Sequence, residues 1–320
     1  MLRPFKPLLF LALLAASTAL LAQIDKPVRL LVGFAPGGSA DIAARLLADR
    51  MKDELKQSVT VENRPGAGGR IVAEAIKNAP ADGSLLMLTP IVVTVLAPMV
   101  FAKLPYDPLT DFAPVAHVAN FQFAMAVTAA HPAKTVQELV DWWKANPASA
   151  NFGSPAPGSL PHFFGVMIER SAAISLVHVP YSGGGPLTNA VMGNQVSSGI
   201  DTVVDQIELH RSGKIRLIAT SGGQRSPLLP DVPTFGEGGL KGVEGTAWFA
   251  VYAPARTPEA TIRQLNTAIN RALAVPELRE RFAKLGLEPT GGTPANLSAR
   301  MAQDTARWAP VVKASGFKAD

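Results

Sequence analysis

The stretch "VRLLVGFAPGGSADIAARLLADRM", Val28 to Met51, decides how the chain folds. Its first part, Val28 to Phe34, is nearly all apolar, as a strand buried on both faces should be. Its last part places Ile42, Leu46, Leu47 and Met51 at helical spacing, continued by Leu55. Arg45, Asp49, Lys52, Asp53 and Lys56 fill the other side. Between strand and helix lie Pro36, Gly37, Gly38 and Ser39, with little bulk and many free backbone N–H groups. Such groups, converging at the positive end of a helix, favour an anion.

Working outward, "SVTVEN" (Ser58 to Asn63) reads as a second strand. "RPGAGGR" follows, then a short helix from Ile71 to Asn78. After the turn "ADG" (Ala81 to Gly83), "SLLMLTP" (Ser84 to Pro90) is a third strand. Strand and helix in alternation predict an α/β fold with parallel sheets. The pattern restarts further on. "TVQE" at Thr135 to Glu138 is a capping box that opens a helix containing Trp142 and Trp143. The strands "ANFGSP", "ISLVHVPY", "QVSSGID" and "KIRLIATSG" then alternate with helices, giving a second α/β unit over roughly 121–244. "TAWFAVYAP" (Thr246 to Pro254) is a further strand. Thr257 is expected to cap a helix with Pro258 at its first position and Ile262, Leu265, Ile269 and Leu273 on its buried stripe. The tail, Thr293 to Gly316, is helical, with Trp308 as a core anchor. The strand pattern breaks and restarts near Ala119 to Phe121 and again near Gly245 to Trp248, so two crossings between units are expected there.

Before Val28 the chain reads as an export leader. Arg3 and Lys6 form a charged start, Leu8 to Leu21 an apolar run, and small residues follow, with cleavage after Ala19 or Ala22. The apolar run is too short for a membrane span. Residues 1–22 are therefore expected to be removed as a signal peptide, leaving a periplasmic chain of 298 of the 320 residues, enough for about two domains. The chain has no cysteine, so it has neither a thiol for a lipid anchor nor a disulfide framework. The formal charge of +5 falls to +3 without Arg3 and Lys6. With no Lys/Arg run, nothing points to nucleic acid.

In open α/β sheets, ligands sit outside the carboxyl ends of the strands. Here those ends carry "APGGS", "RPGAGG" and "TP" in the first unit and "SPAPGS", "SGGG" and "DT" in the second. Two facing units would leave a cleft among these loops, and each glycine loop can hold an anionic group without Arg or Lys.

The segments "FAPGGSADIAARLLADRM", "VENRPGAGGRIVAEAI", "APADGSLLML", "YDPLTDFAPVA", "NFGSPAPGSLPHFFG", "VPYSGGGPLTNAVMGNQV", "LIATSGGQRSPLLPDVPTFGEGGL" and "EPTGGTPANLSARM" occur in this order. Together the chain resembles the Bug family, the extracytoplasmic solute receptors of tripartite tricarboxylate transporters, over essentially its whole exported length. The resemblance implies a two-domain periplasmic binding protein fold, type II-like, with two crossovers and mostly parallel sheets flanked by helices. Residues 23–120 plus 245–320 would form one domain and 121–244 the other. It implies a monomer that closes around a small organic carboxylate, with no cofactor and no catalysis, and a two-subunit membrane permease as partner. Carried onto this sequence, the first ligand loop matches Ala35, Gly37, Gly38, Ser39 and Asp41. The second glycine loop includes Gly68 and Gly69, and Thr89 closes the third strand. Ser154, Gly158, Ser159 and His162 match the loop from the other domain, and Tyr181, Gly183 and Asp201 match further cleft positions. Pro155 and Pro157 stiffen a loop that is more flexible in the family pattern, and Ser197 stands where members often carry an acid.

Each residue also has a structural reading. The glycine loops serve equally as tight turns. Asp41 in a first helical turn offsets the dipole, and a carboxylate near an anion site would repel the ligand. His162, between Pro161 and Phe163, reads as a packed histidine or a contact, Tyr181 as a cleft cover or a packing residue, and Asp201 as a helix cap or a contact. His117, His131, His178 and His210 lack metal-site spacing. An enzyme would want a nucleophile elbow or a complete dinucleotide fingerprint; there is no G-x-S-x-G, and Gly33 to Gly38 reads G-x-x-x-G-G. A receptor that presents its ligand to a membrane sensor would use the same closed form and stays open as an alternative.

Overall fold

The structure is a computed structural model and describes residues 24–319. The expected leader, 1–22, lies outside the described residues. In chain order the first part runs β1 (Val28–Val32), α1 (Ser39–Leu55), β2 (Val59–Asn63), α2 (Arg70–Lys77), β3 (Leu85–Pro90), the short α3 (Ala97–Val100) and β4 (Phe112–Phe121). The middle part runs β5 (Phe123–Thr128), α4 (Val136–Ala145), β6 (Asn151–Ser154), α5 (Leu160–Ala172), β7 (Val177–Pro180), α6 (Gly184–Met192), β8 (Gly199–Thr202), α7 (Val203–Arg211) and β9 (Ile215–Thr220). The last part runs β10 (Ala247–Pro254), α8 (Glu259–Ala274), α9 (Pro276–Lys284), β11 (Leu287–Pro289) and α10 (Pro294–Ser315).

These elements form two sheets. One has the order β11-β4-β10-β3-β1-β2, the other β7-β6-β8-β5-β9. The apolar run of β1 is explained by its place between β2 and β3, with Leu30 opposite Val61 and Leu86. Leu30, Leu31 and Val32 are fully buried. Helix α1 covers this sheet with Ala43, Ala44, Leu47 and Met51. All eight residues of β10 are buried, because it too is central and covered on both faces. Trp248 on β10 donates from Nε1 to Asp304 Oδ2 at 2.7 Å, and Arg300 Nε donates to the same oxygen at 2.6 Å, which satisfies a buried carboxylate and ties α10 to the sheet.

The sheets are mixed, where the sequence pattern pointed to mostly parallel pairing. β1 pairs parallel with β2 and β3, and β6 with β7 and β8. β10 is antiparallel to β3 and β4, and β5 to β8 and β9. The reason lies in connectivity. β5 and β10 are the strands by which the chain enters each sheet from the other. They start at the edge where their neighbours end, so they run the opposite way. Only Gln122 separates β4 from β5. The return passes through Ser221 and Gly245. Phe123 N–H donates to Ser221 Oγ at 3.0 Å, Ser221 Oγ donates to Gly245 O at 2.7 Å, and Ser221 N–H donates to Phe123 O at 2.9 Å. The two crossings are thereby held side by side, and Ala247 pairs with Phe121.

Two expected caps differ in detail. Thr135 Oγ1 accepts from Glu138 N–H at 3.2 Å, but the Glu138 carboxylate accepts from Lys134 N–H, one residue before the cap. Thr257 gives α8 no side-chain cap; Pro258 occupies the cap position and Thr257 N–H turns back to Pro254 O. "ISLVHVPY" pairs only over Val177–Pro180, because Ile174 lies in the turn that follows α5.

Candidate functional site

A cavity of about 720 Å³ lies between the two sheets, at the ends of β1, β3, β6 and β8. The first sheet supplies Phe34 to Ala40, Ile42 and Pro90 to Val92; the second supplies Pro155, Ala156, Ser159 to Pro161, Gly183 to Pro186, Asp201, Thr202 and Asp205. Phe121, Phe123, Ala247 and Phe249, from the crossing strands, form an apolar wall. Phe121 stacks on Phe249 at 4.4 Å between ring centroids, which fixes that wall. The helices α1, α5 and α6 all begin here, after Gly38, Ser159 and Gly183, and in none of the three does the residue before the helix cap it with its own side chain. The first-turn N–H groups of α5 and α6 are therefore donors the cavity offers to an anion, whereas at α1 the Ser39 N–H is taken by Asp205.

Of the residues singled out from the sequence, Ala35, Gly37, Gly38, Ser39, Ser159, Gly183 and Asp201 line this cavity. Gly37 adopts φ +83°, which favours glycine, whereas Gly38 is extended at φ −81°. Ser159 Oγ is committed to Ala156 O at 2.6 Å.

The others lie behind the lining. Asp41 is buried beneath the first loop, where its Oδ2 accepts from Gly37 N–H and Arg45 Nε, each at 2.9 Å. Burial opposes its charge, but the bonds from Arg45, Gly37 and Asn63 hold the carboxyl below the usual range. Gly68 and Gly69 belong to a loop that packs against the first one: a Cβ on Gly33 would sit 2.5 Å from Gly69 Cα, so the glycines serve close backbone approach. Thr89 is buried within β3, opposite Ala250. Ser154 Oγ donates to Ala156 O at 3.0 Å and lies 2.7 Å from His178 Nε2. Gly158 N–H donates to His162 Nδ1 at 3.1 Å, and His162 stacks on His178 with centroids 3.9 Å apart. Burial, with His178 adding to it, pushes His162 down to about 3, so it is neutral at physiological pH. Tyr181 packs over Gly153, its ring 3.0 Å from where a Cβ would stand.

Sequence reasoning passed over Asp205. It lies four residues after Asp201 on the first turn of α7, where Thr202 Oγ1 accepts from Asp205 N–H at 3.1 Å. Across the cavity its Oδ1 accepts from Ser39 N–H at 2.9 Å. Thr202-x-x-Asp205 is a legible helix start, but nothing local signals a reach to Ser39. Burial pushes the carboxyls of both Asp201 and Asp205 up, and for Asp201 the neighbouring Asp205 adds to the effect. No Lys, Arg or His lines the cavity among the described residues. Nor are three or more His, Asp or Glu side chains placed among them to hold a metal ion. A second cavity, of about 750 Å³, lies against Asn120, Gln122 and α9. Its charged residues are largely paired, Arg225 with Glu237 and Lys284 with Glu280.

This architecture matches a known family. A sequence model described as "Tripartite tricarboxylate transporter family receptor" covers residues 43–317. The chain belongs to that family. The receptor is 33% identical over 298 residues to protein BugT of Bordetella pertussis (strain Tohama I), covering 92% of this chain and 90% of BugT. Among solved structures it is similar to R. palustris Rpa4515 with adipate, with TM-score 0.89, 31% identity, and 92% of this chain and 98% of that one covered. It is also similar to MatC from Rhodopseudomonas palustris with bound malate, with TM-score 0.84, 31% identity, and coverages of 90% and 99%. The periplasmic binding protein BugD gives TM-score 0.86 at 32% identity, with coverages of 92% and 99%. The family is one of substrate-binding receptors rather than enzymes, and this chain is such a receptor. No helix among the described residues is long and apolar enough to cross a membrane.

Proposed function

We propose that this receptor captures a small carboxylate in the cavity between its sheets and delivers it to a two-subunit membrane permease. The observation that carries this reading is the convergence of three helix N-termini, those of α1, α5 and α6, on one cavity without a basic side chain, with the starts of α5 and α6 uncapped. Backbone N–H groups at helix starts recognise a carboxylate through oriented dipoles and hydrogen bonds. The adipate and malate in the solved relatives support the same class. In this reading Gly38, Ser159 and Gly183 contact the ligand, with Ala35, Gly37 and Ser39 shaping the first loop, while Asp41, Gly68, Gly69, Thr89, Ser154, Gly158, His162 and Tyr181 support the lining from behind. Residues 23–120 plus 245–320 move as one body and 121–244 as the other, about a hinge at Gln122 and Ser221–Gly245. The receptor works as an exported monomer in the periplasm after losing its leader.

A thermal-shift screen of mono-, di- and tricarboxylates and aminocarboxylates on refolded, ligand-stripped protein tests this. A ligand at a hundredfold excess over its Kd stabilises the native state by about 2.7 kcal/mol, enough to raise the melting temperature visibly. No shift with any acid in a broad panel would contradict the reading.

A further inference from the structure

Asp201 sits in the cavity wall and is 2% exposed. Its Oδ1 accepts from Thr202 N–H at 2.8 Å, but its Oδ2 has no partner. The Asp205 carboxylate is its neighbour. A methyl group placed on Gly184 would lie 2.6 Å from Asp201 Oδ2 and 3.1 Å from Asp205 Oδ2, so both oxygens face the same point at the start of α6. Two acids stand together in a cavity with no lining Lys, Arg or His. A buried carboxylate oxygen without a donor is costly, and two together are more so.

We propose that Asp201 and Asp205 form a subsite for a protonated amine, so that the ligand is an aminocarboxylate with an apolar body. This rests on the carboxylate-receptor reading above. An ammonium group carries three donors. One meets the unpartnered Asp201 Oδ2, and Asp205, which already accepts from Ser39 and Thr202, has lone pairs left for another. The ligand's carboxylate then takes the donors that the protein's own acids leave free. At α1, Ser39 N–H is held by Asp205, and just before it Gly37 N–H is held by Asp41. The starts of α5 and α6 remain. Gly183 and Gly185 lie in open space, so a ligand can approach their backbone closely. The wall of Phe121, Phe123 and Phe249 suits an apolar body. A dicarboxylate would instead bring a second negative charge against Asp201 and Asp205.

Calorimetric titration of ligand-stripped protein at pH 7 with matched pairs tests the proposal: leucine against 4-methylpentanoate, phenylalanine against 3-phenylpropanoate, and 6-aminohexanoate against hexanoate and adipate. In at least one set the amine-bearing acid is expected to bind about tenfold or more tighter than its amine-free partners. Asp201→Asn and Asp205→Asn, which keep side-chain volume, are expected to erase that preference; the panel on the parent protein decides even if a variant fails to fold. If amine-free acids bind as tightly or more tightly throughout, the amine subsite is overturned while the carboxylate reading stands. If isopentylamine, phenethylamine or hexylamine bind as tightly as the amino acids, the carboxylate reading is overturned and the amine subsite stands. No binding by any member overturns both.

Discussion

Ser39 and Asp205 are joined across the cavity: the Ser39 N–H donates to Asp205 Oδ1 at 2.9 Å and Ser39 Oγ to Oδ2 at 3.3 Å. The contact sets the first turn of α1, on one sheet, against the first turn of α7, on the other. A carboxylate of the protein thus stands where an anion would stand at the start of α1.

This contact should help hold the ligand-free chain closed. A hydrogen bond to a charged group is worth about 1.5–3 kcal/mol, and about 1.4 kcal/mol is a tenfold change in population. Asp205→Ala is therefore expected to shift the ligand-free protein toward an open form, with a larger radius of gyration in small-angle scattering. Superimposable curves for parent and variant would show that other contacts hold the two sheets together.

Asp41→Asn separates support from contact. The side chain does not line the cavity, yet it holds Gly37 N–H and the Arg45 guanidinium. The substitution is expected to lower stability by about 1–3 kcal/mol in urea unfolding, the cost of a weakened bond to a charged group. Carboxylate affinity is expected to stay near the parent's. Lost affinity with unchanged stability would make Asp41 a ligand contact.

Acidification should destabilise the fold through its histidines. Burial pushes His117 and His178 down to about 4 and His162 to about 3 from an ordinary 6.5. Below pH 6.5 the unfolded chain binds protons at these positions that the folded chain does not. Their contribution to stability therefore falls as pH drops from about 6.5 toward 4. Asp201 and Asp205, raised by burial, act in the opposite sense, since the folded chain holds their protons where the unfolded chain releases them. Replacing His162 by Phe is expected to flatten the melting-temperature profile between pH 6.5 and 4. An unchanged slope would mean that His162 does not contribute.

The first βα units were legible because β1 and α1 each carry a pattern that local physics dictates: an apolar run and a helical stripe. The glycine loops were legible for the same reason, since bare backbone between strand and helix has few other uses. What stayed hidden depends on distant partners. β4 and β5 lie in "FAPVAHVANFQFAMAVT", where the break near Ala119 to Phe121 marks a crossing but not the direction in which β5 enters the second sheet. The antiparallel direction of β5 and β10 follows only from that crossing. Asp205 carries no local sign of its role, because its partner Ser39 is 166 residues away. His162 and Ser154 were drawn in by the resemblance, but their side chains turn to His178 and Ala156 rather than to the cavity.

Gly185 decides whether the cavity between the sheets holds the carboxylate. Gly185 lines that cavity, its φ is outside the left-handed region, and a Cβ there meets open space. Gly185→Phe should therefore fold like the parent while filling the volume beside the α6 N-terminus. The measurement is a calorimetric titration of parent and Gly185→Phe with the carboxylate that gives the largest thermal shift. The predicted result is one site per chain in the parent and binding at least about a hundredfold weaker in the variant, the loss of two or more charge-assisted hydrogen bonds. Equal affinity in a variant that melts like the parent would place the carboxylate elsewhere.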